Sequence, residues 1–220
     1  MYLQFNLIIY LMKNKSFLLL FFFLFLCQVS FAQQTILNDS NLPIMVISTD
    51  IDPDTNAPTD IPDEPKVLGS MQLIYRPDGS RNYLTDSTNE SFLNYKGRIG
   101  IELRGSSSQA LDKKPYGFTT LLQDGDSNNN VSLLGMPSEN DWVLNSLAYD
   151  PSMVRDYLSY TLASNMGNYA PRVQYIEVIV NGDYKGVYFL TEKVKRDSCL
   201  FYLVKWNSKI WTSIPLSQEM

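Results

Sequence analysis

A chain of 220 residues with 45% hydrophobic and 13% aromatic side chains has the material for a real core, in one domain or two small ones. It contains no histidine, which excludes Ser–His–Asp and Cys–His nucleophile pairs, His-ligated zinc and the His-Glu-x-x-His metalloprotease helix. Its 18 Lys+Arg against 23 Asp+Glu argue against a general nucleic-acid binder, since phosphate neutralisation needs clustered basic side chains.

The amino terminus reads as an address. Met12, Lys13, Asn14 and Lys15 form a basic opening, the run 16–26 is nearly all Phe and Leu, and Ser30 and Ala32 occupy the −3 and −1 positions of a small-residue cleavage site. A secretory signal peptide is predicted over residues 1–32, with Met12 as the true start and residues 1–11 as an over-extension. The apolar run falls short of the ~20 residues of a spanning helix, so no stable membrane span is expected after cleavage. Cleavage leaves 188 residues (220 − 32) and a net charge of −7 (16 − 23), and it removes Cys27. Cys199 then stands alone, so no intrachain disulfide forms and stability comes from core burial. The expected location is the exterior or the cell surface.

Along the mature chain, residues 33–41 are a polar lead-in and 42–48 (LPIMVIS) predict a strand. Residues 50–65, rich in Asp and Pro, predict a loop. A strand over 69–76 closes at the turn Pro77-Asp78-Gly79. Residues 95–104 form the next strand, with Ile99, Ile101 and Leu103 on one face and Arg98, Glu102 and Arg104 on the other. Lys113, Lys114 and Pro115 lead into a strand over 116–122, followed by the polar loop 123–130. The clearest helix covers 151–166, with Asp150 as N-cap, Pro151 at the first position and Gly167 at the C-cap. Val154, Tyr157, Leu158, Thr161, Leu162 and Met166 recur at helical spacing and are expected to face the core. Strands 173–180 and 184–190 flank Asn181-Gly182, a type I′ hairpin signal, and Gly186 marks a bulge or a close backbone approach. The order predicts an α+β fold, a mainly antiparallel sheet with one principal helix.

Familiar catalytic motifs fail on inspection. The acidic stretch from Asp50 to Asn56 starts like a calcium loop, but its sixth position is Thr55 and its twelfth Ile61, where Gly and Glu are needed. Gly100, Gly105, Ser106 and Ser107 imitate a P-loop without its lysine. There is no G-x-G-x-x-G, no H-R-D and no D-F-G, the ordinary protein-kinase set.

Seven longer blocks remain: IELRGSSS at 101–108, KKPY at 113–116, LLGMP at 133–137, DWVLN at 141–145, YAPR at 169–172, VNGDYKGVY at 180–188 and LTEKVKRD at 190–197. In order and spacing they resemble the family named for spore coat protein CotH, the CotH kinases, and the resemblance covers residues 42–197. It implies an atypical, secreted kinase-like protein that uses ATP and a divalent metal (Mg) to phosphorylate Ser/Thr of exported proteins, with the usual glycine-rich loop replaced. It also implies a kinase-like amino-terminal lobe, in which 116–122 is the strand near the nucleotide, 151–166 the lobe's helix and 191–193 the hinge.

Phosphoryl transfer needs cations on the phosphates, a metal held by carboxylates and a group that orients the hydroxyl. Arg104, at a strand end beside a Gly/Ser turn, and Lys114 are the phosphate candidates. Glu192 and Lys193 are the candidates for the adenine side. Trp142 is expected to be structural, with its indole under the helix. The family's metal-holding and catalytic carboxylates lie in an Asp/Asn-rich carboxy-terminal lobe, and residues 198–220 carry neither Gly nor Asp. The expectation is therefore a chain cut or frame-shifted after Asp197, with no catalytic or metal residue of its own and no activity alone. The rival expectation is a non-catalytic surface or matrix module, with Tyr83, Tyr95 and Tyr169 available for stacking on polysaccharide.

Overall fold

The structure is a computed structural model, and it describes residues 36–195; the predicted signal peptide and the tail beyond Asp197 lie outside them. Eleven strands and one α-helix follow in chain order: β1 (Asp39–Ser40), β2 (Ile44–Thr49), β3 (Ile51–Asp52), β4 (Ala57–Pro58), β5 (Val67–Ile74), β6 (Asn82–Tyr83), β7 (Leu93–Leu103), β8 (Tyr116–Leu121), β9 (Asp141–Asn145), α1 (Arg155–Asn165), β10 (Val173–Val180) and β11 (Asp183–Glu192). Seven of the strands close into a barrel in the order β10-β11-β9-β8-β7-β5-β2, while β1–β6 and β3–β4 are two-stranded ribbons.

The barrel overturns the expected kinase-like α+β lobe with its principal helix. The reason is one pairing between distant segments. Six neighbouring pairs are antiparallel, and β2 joins β10 in parallel, Ile44 opposite Glu177. A ring of seven strands cannot alternate direction throughout, so one parallel pair is obligatory. That pair joins residues 133 apart (177 − 44), beyond any local pattern.

Alternation sets what fills the barrel. Ile99 and Ile101 of β7, Phe118 of β8, Trp142 and Leu144 of β9, and Tyr188 and Leu190 of β11 point inward and are buried together. Trp142 therefore belongs to the barrel core and does not lie under the helix; its indole N–H donates to the Glu139 carbonyl at 3.2 Å. Outside the barrel, Ile44, Ile74 and Ile179 form a second cluster beneath Leu37 and Leu84. The hairpin between β10 and β11 turns through Asn181 (φ 51°) and Gly182 (φ 79°), as a type I′ turn requires. A register shift sets Val178 opposite Gly186 but Ile179 opposite Tyr184, so Lys185 is the extra residue of the expected bulge.

The helix departs furthest from expectation. It begins at Arg155, because Pro151 to Val154 form a turn with Met153 at φ 56°. Asp150 still serves its start: one carboxylate oxygen accepts from the Arg155 amide at 3.0 Å, the other from the Ser152 amide and hydroxyl. No residue of α1 is buried, and Val154, Leu158, Leu162 and Met166 are 50%, 64%, 56% and 69% exposed. The helix meets the barrel through Tyr157, stacked at 5.6 Å on Tyr175, which packs at 4.3 Å on Phe189. Helical spacing marks a stripe; it does not say what the stripe faces.

A buried ion pair anchors the turn after β5. Arg76 grips Asp86 with two hydrogen bonds of 2.8 and 2.9 Å while its guanidinium lies 3.9 Å from the Phe92 ring centroid and 5.4 Å from that of Tyr83. Hydrogen bonding from Arg76, opposed by burial and helped by the Tyr83 amide, holds the Asp86 carboxyl below its ordinary value. A folded-state value below the unfolded one of about 3.9 gives stability that is present above that pH and lost as pH falls through the folded value. The stability gap between the native chain and Asp86→Asn is thus expected to be full at pH 7 and to shrink below about pH 4. Urea melts at stepped pH measure it, and a gap that stays constant down to pH 2.5 refutes the assignment. Of the expected stacking tyrosines, Tyr83 lies under Arg76, and Tyr95 is half-buried with its hydroxyl donating to the Arg98 carbonyl at 3.2 Å.

Candidate functional site

The segment from Arg104 to Pro115 leaves β7, makes a 3-10 turn over Ser107–Ala110 and returns into β8. It is fastened from within. Gly105, at φ 94°, takes a conformation that L side chains disfavour, and its carbonyl accepts from Gln109 Nε2 at 2.7 Å. Lys114 Nζ donates to the Gln109 carbonyl at 2.7 Å, and the Lys114 carbonyl accepts from the Tyr188 hydroxyl at 2.9 Å. Lys113 donates to the Val187 carbonyl and lies 4.7 Å from the Tyr188 ring centroid. Its Nζ passes over Gly186, 3.6 Å from where a Cβ there would stand, which is the close approach that glycine permits. Burial draws the Lys113 ammonium below its ordinary value, against the pull of the Glu177 charge. Both lysines of the pair thus hold the loop to the barrel mouth.

Between this loop, the end of β9 and the turn leading into α1 lies a cleft of about 460 Å³, lined by Arg104, Ser108, Asn145, Asp150, Arg155 and Asp156 among others. That volume falls within the range of small-ligand sites. Asn145 donates to Asp156 at 3.3 Å and accepts from the Leu147 amide at 3.1 Å. Leu147 and Met153, both at φ 56°, bracket this wall in left-handed conformations that non-glycine residues rarely adopt. The Ser152 hydroxyl, then the Arg155 amide, holds the Asp150 carboxyl below its ordinary value. Arg155 Nε stands 3.5 Å from Asp150 and its side chain is mostly exposed.

Arg104 differs from these neighbours. Its guanidinium makes no ion pair and no side-chain hydrogen bond among the described residues. The side chain crosses the bare face of Gly117, with its Cδ 3.7 Å from where a Cβ would stand. It thereby lines a second, shallow hollow on the outside of β7, β8 and β9, together with Lys66, Glu102, Asp141 and Lys193. There Lys66 donates to the Thr119 hydroxyl at 2.5 Å, Thr119 donates to Asp141 at 2.6 Å, and Lys195 bridges Asp141 at 3.0 Å and Glu139 at 2.5 Å. Burial would raise the Asp141 carboxyl, but the Thr119 hydroxyl and Lys195 outweigh it and hold the group below its ordinary value.

Of the four residues singled out by sequence, Arg104 and Lys193 meet around this hollow. Lys114 is held by its own loop. Glu192 is buried, with one oxygen accepting from the Arg172 amide at 3.1 Å. Sequence reasoning missed Lys66, because nothing local links residue 66 to 119 and 141. It also missed the Asn145–Asp156 pair, since Asn145 ends a strand that periodicity does not reveal. Magnesium finds no ligand set among the described residues: Asp150 spends both oxygens on the turn, Asp156 is engaged by Asn145, and no group of three acidic or thiol side chains converges.

No helix among the described residues is long and apolar enough to cross a membrane. No curated protein matches the chain. A family model described as "CotH kinase protein" matches residues 101–204, a stretch that opens three residues before Arg104 and contains all six cleft residues named above. The matched stretch is 104 of the 220 residues, and over it the chain is similar to the CotH kinase family.

Proposed function

We propose that this chain is an exported, kinase-like CotH protein whose cleft between the 104–115 loop and the start of α1 receives the phosphates of a nucleotide such as ATP. The observation that carries the reading is Arg104, a cation with no carboxylate partner among the described residues, at the rim of a cleft of ligand size. Arg155 supplies a second positive charge across the cleft, and a planar guanidinium suits two phosphate oxygens at once. Lys193 stands beyond Arg104 on the outer face of the barrel, where an extended anion reaches it. The described residues offer cations for phosphate but no carboxylate set for magnesium, so binding, and not transfer, is the activity proposed for them.

Replacing Arg104 removes a charge-assisted contact of about 1.5–3 kcal/mol, which is roughly a 10- to 100-fold loss of affinity. Calorimetric titration of the full chain with ATP, with and without magnesium, is expected to show binding that Arg104→Ala weakens by that factor and Lys114→Ala leaves within about twofold. Equal affinity of the native chain and Arg104→Ala refutes the site. No nucleotide binding by the native chain refutes the function.

A further inference from the structure

The tip of the hairpin between β10 and β11 holds the chain's one Asn-Gly pair, Asn181-Gly182. Asparagine is a chemically labile residue, and most so before glycine, which has no side chain to shield its backbone nitrogen from the asparagine side-chain carbonyl. The Gly182 amide donates to no acceptor among the described residues, and both residues are exposed, so nucleophile and water are at hand. The electrophile is what the fold withholds.

Asn181 uses its side chain to extend the parallel seam. The backbone pairing of β10 with β2 ends at Val180 opposite Ile47. One step further on, the Asn181 amide donates to the Ile47 carbonyl at 2.9 Å, and Asn181 Oδ1 accepts from the Thr49 amide at 2.9 Å. A hydroxyl has a single proton, and the Thr49 hydroxyl lies 2.8 Å from the Thr59 carbonyl against 3.3 Å from Asn181 Oδ1. Its proton therefore goes to Thr59, and its oxygen accepts from Asn181 Nδ2 at 3.0 Å. Thr49 thus grips both ends of the side-chain amide, which is not free to rotate onto the Gly182 nitrogen.

We propose that Asn181 is a latched deamidation site, protected while β2 and β10 are paired and released when the seam parts. On release the Gly182 nitrogen bonds to Asn181 Cγ, the Cγ–Nδ2 bond breaks, and Nδ2 leaves as ammonia with the proton that Gly182 gives up. Water then opens the cyclic imide at one of its two carbonyls. The product at position 181 is aspartate, or isoaspartate with the main chain rerouted through the side chain. Neither can close the latch again, because the donor to Thr49 Oγ1 is gone. A seam that has stayed open long enough to react is permanently marked and weakened.

Mass spectrometry of the tryptic peptide 173–185 reads the conversion, and fragmentation separates position 181 from Gln174. The folded full chain near neutral pH is expected to convert at least about tenfold more slowly than the same chain in urea, since reaction requires local opening. Thr49→Val removes the gripping oxygen and should speed conversion of the folded chain about 3- to 10-fold, the ratio that one lost hydrogen bond gives. Thr49→Ser keeps the hydroxyl and should stay within about twofold of the native rate. Trp142→Phe lowers global stability from another wall of the barrel and should also stay within about twofold. Equal rates for the folded and urea-unfolded chain, or for folded Thr49→Val and the native chain, overturn the proposal. Acceleration by Trp142→Phe as large as that by Thr49→Val overturns it in favour of global unfolding as the route.

Discussion

Trp142→Ala is expected to bring the protein close to unfolding at ambient temperature. The indole is 1% exposed and lies in the barrel interior with Phe118, Leu144 and Leu190. Removing it withdraws the transfer energy of a large aromatic and leaves a cavity that a closed ring of hydrogen-bonded strands cannot collapse. Such truncations cost about 3–5 kcal/mol, against a total stability for small domains of about 5–15 kcal/mol. Urea unfolding followed by circular dichroism should show a fall in the midpoint with an unchanged slope. A loss below about 1 kcal/mol would show that the indole does not belong to the core. Trp142→Phe keeps most of the volume and should recover more than half of the loss.

The second large effect is expected at Gly69, where β5 pairs with β2. A Cβ there would stand 2.6 Å from the Ser48 carbonyl oxygen and 3.1 Å from Thr49 Cα. Both atoms are backbone, so no rotamer relieves the contact and the two strands must separate. Gly69→Ala is therefore expected to cost about 1–3 kcal/mol, and Gly69→Val more, with the damage centred on the antiparallel pairing of β5 with β2. Amide exchange reads this locally: protection should fall first in residues 44–49 and 67–74. Gly79→Ala is the contrast, since nothing lies within 4 Å of its added carbon and its φ of 76° is the sole source of strain. An exchange pattern for Gly69→Ala that is uniform over the barrel would argue that the clash is absorbed elsewhere.

The segments legible in the sequence are those whose pattern is both local and long. Strand β7 shows Ile99, Ile101 and Leu103 alternating with polar residues, and the turn between β10 and β11 announces itself through Asn181-Gly182. Strand β9 has only five residues, WVL between two polar ends, and so few positions display no period. The helix was legible as an element but not in its packing, because Val154, Leu158 and Leu162 satisfy a helical period whether a partner is present or not. Ring closure was illegible for a different reason: Ile44 and Glu177 become neighbours only when everything between them is in place.

The same division holds at the cleft. Arg104 could be picked out because it ends a strand next to a glycine, a local feature that places a cation at a rim. Lys114 has the same composition and a similar address, yet its ammonium is satisfied by the Gln109 carbonyl, a contact set by how a twelve-residue connection curls on itself. Glu192 and Lys193 are neighbours in sequence whose side chains part company, because successive residues of an extended strand face opposite sides. Alternation along β11 puts the carboxylate on the barrel side and leaves the ammonium outside with Arg104.

The lone parallel seam between β2 and β10 dictates when this molecule can be assembled. Until residue 180 has emerged, β2 has only one neighbour and its other flank offers unpaired amides and carbonyls to any strand it encounters. Contacts so remote along the chain are slow to form, since a long loop must be closed before they are rewarded. A polypeptide halted anywhere upstream of the last hairpin is therefore an open sheet with two sticky borders, and it should aggregate where the finished ring stays dispersed.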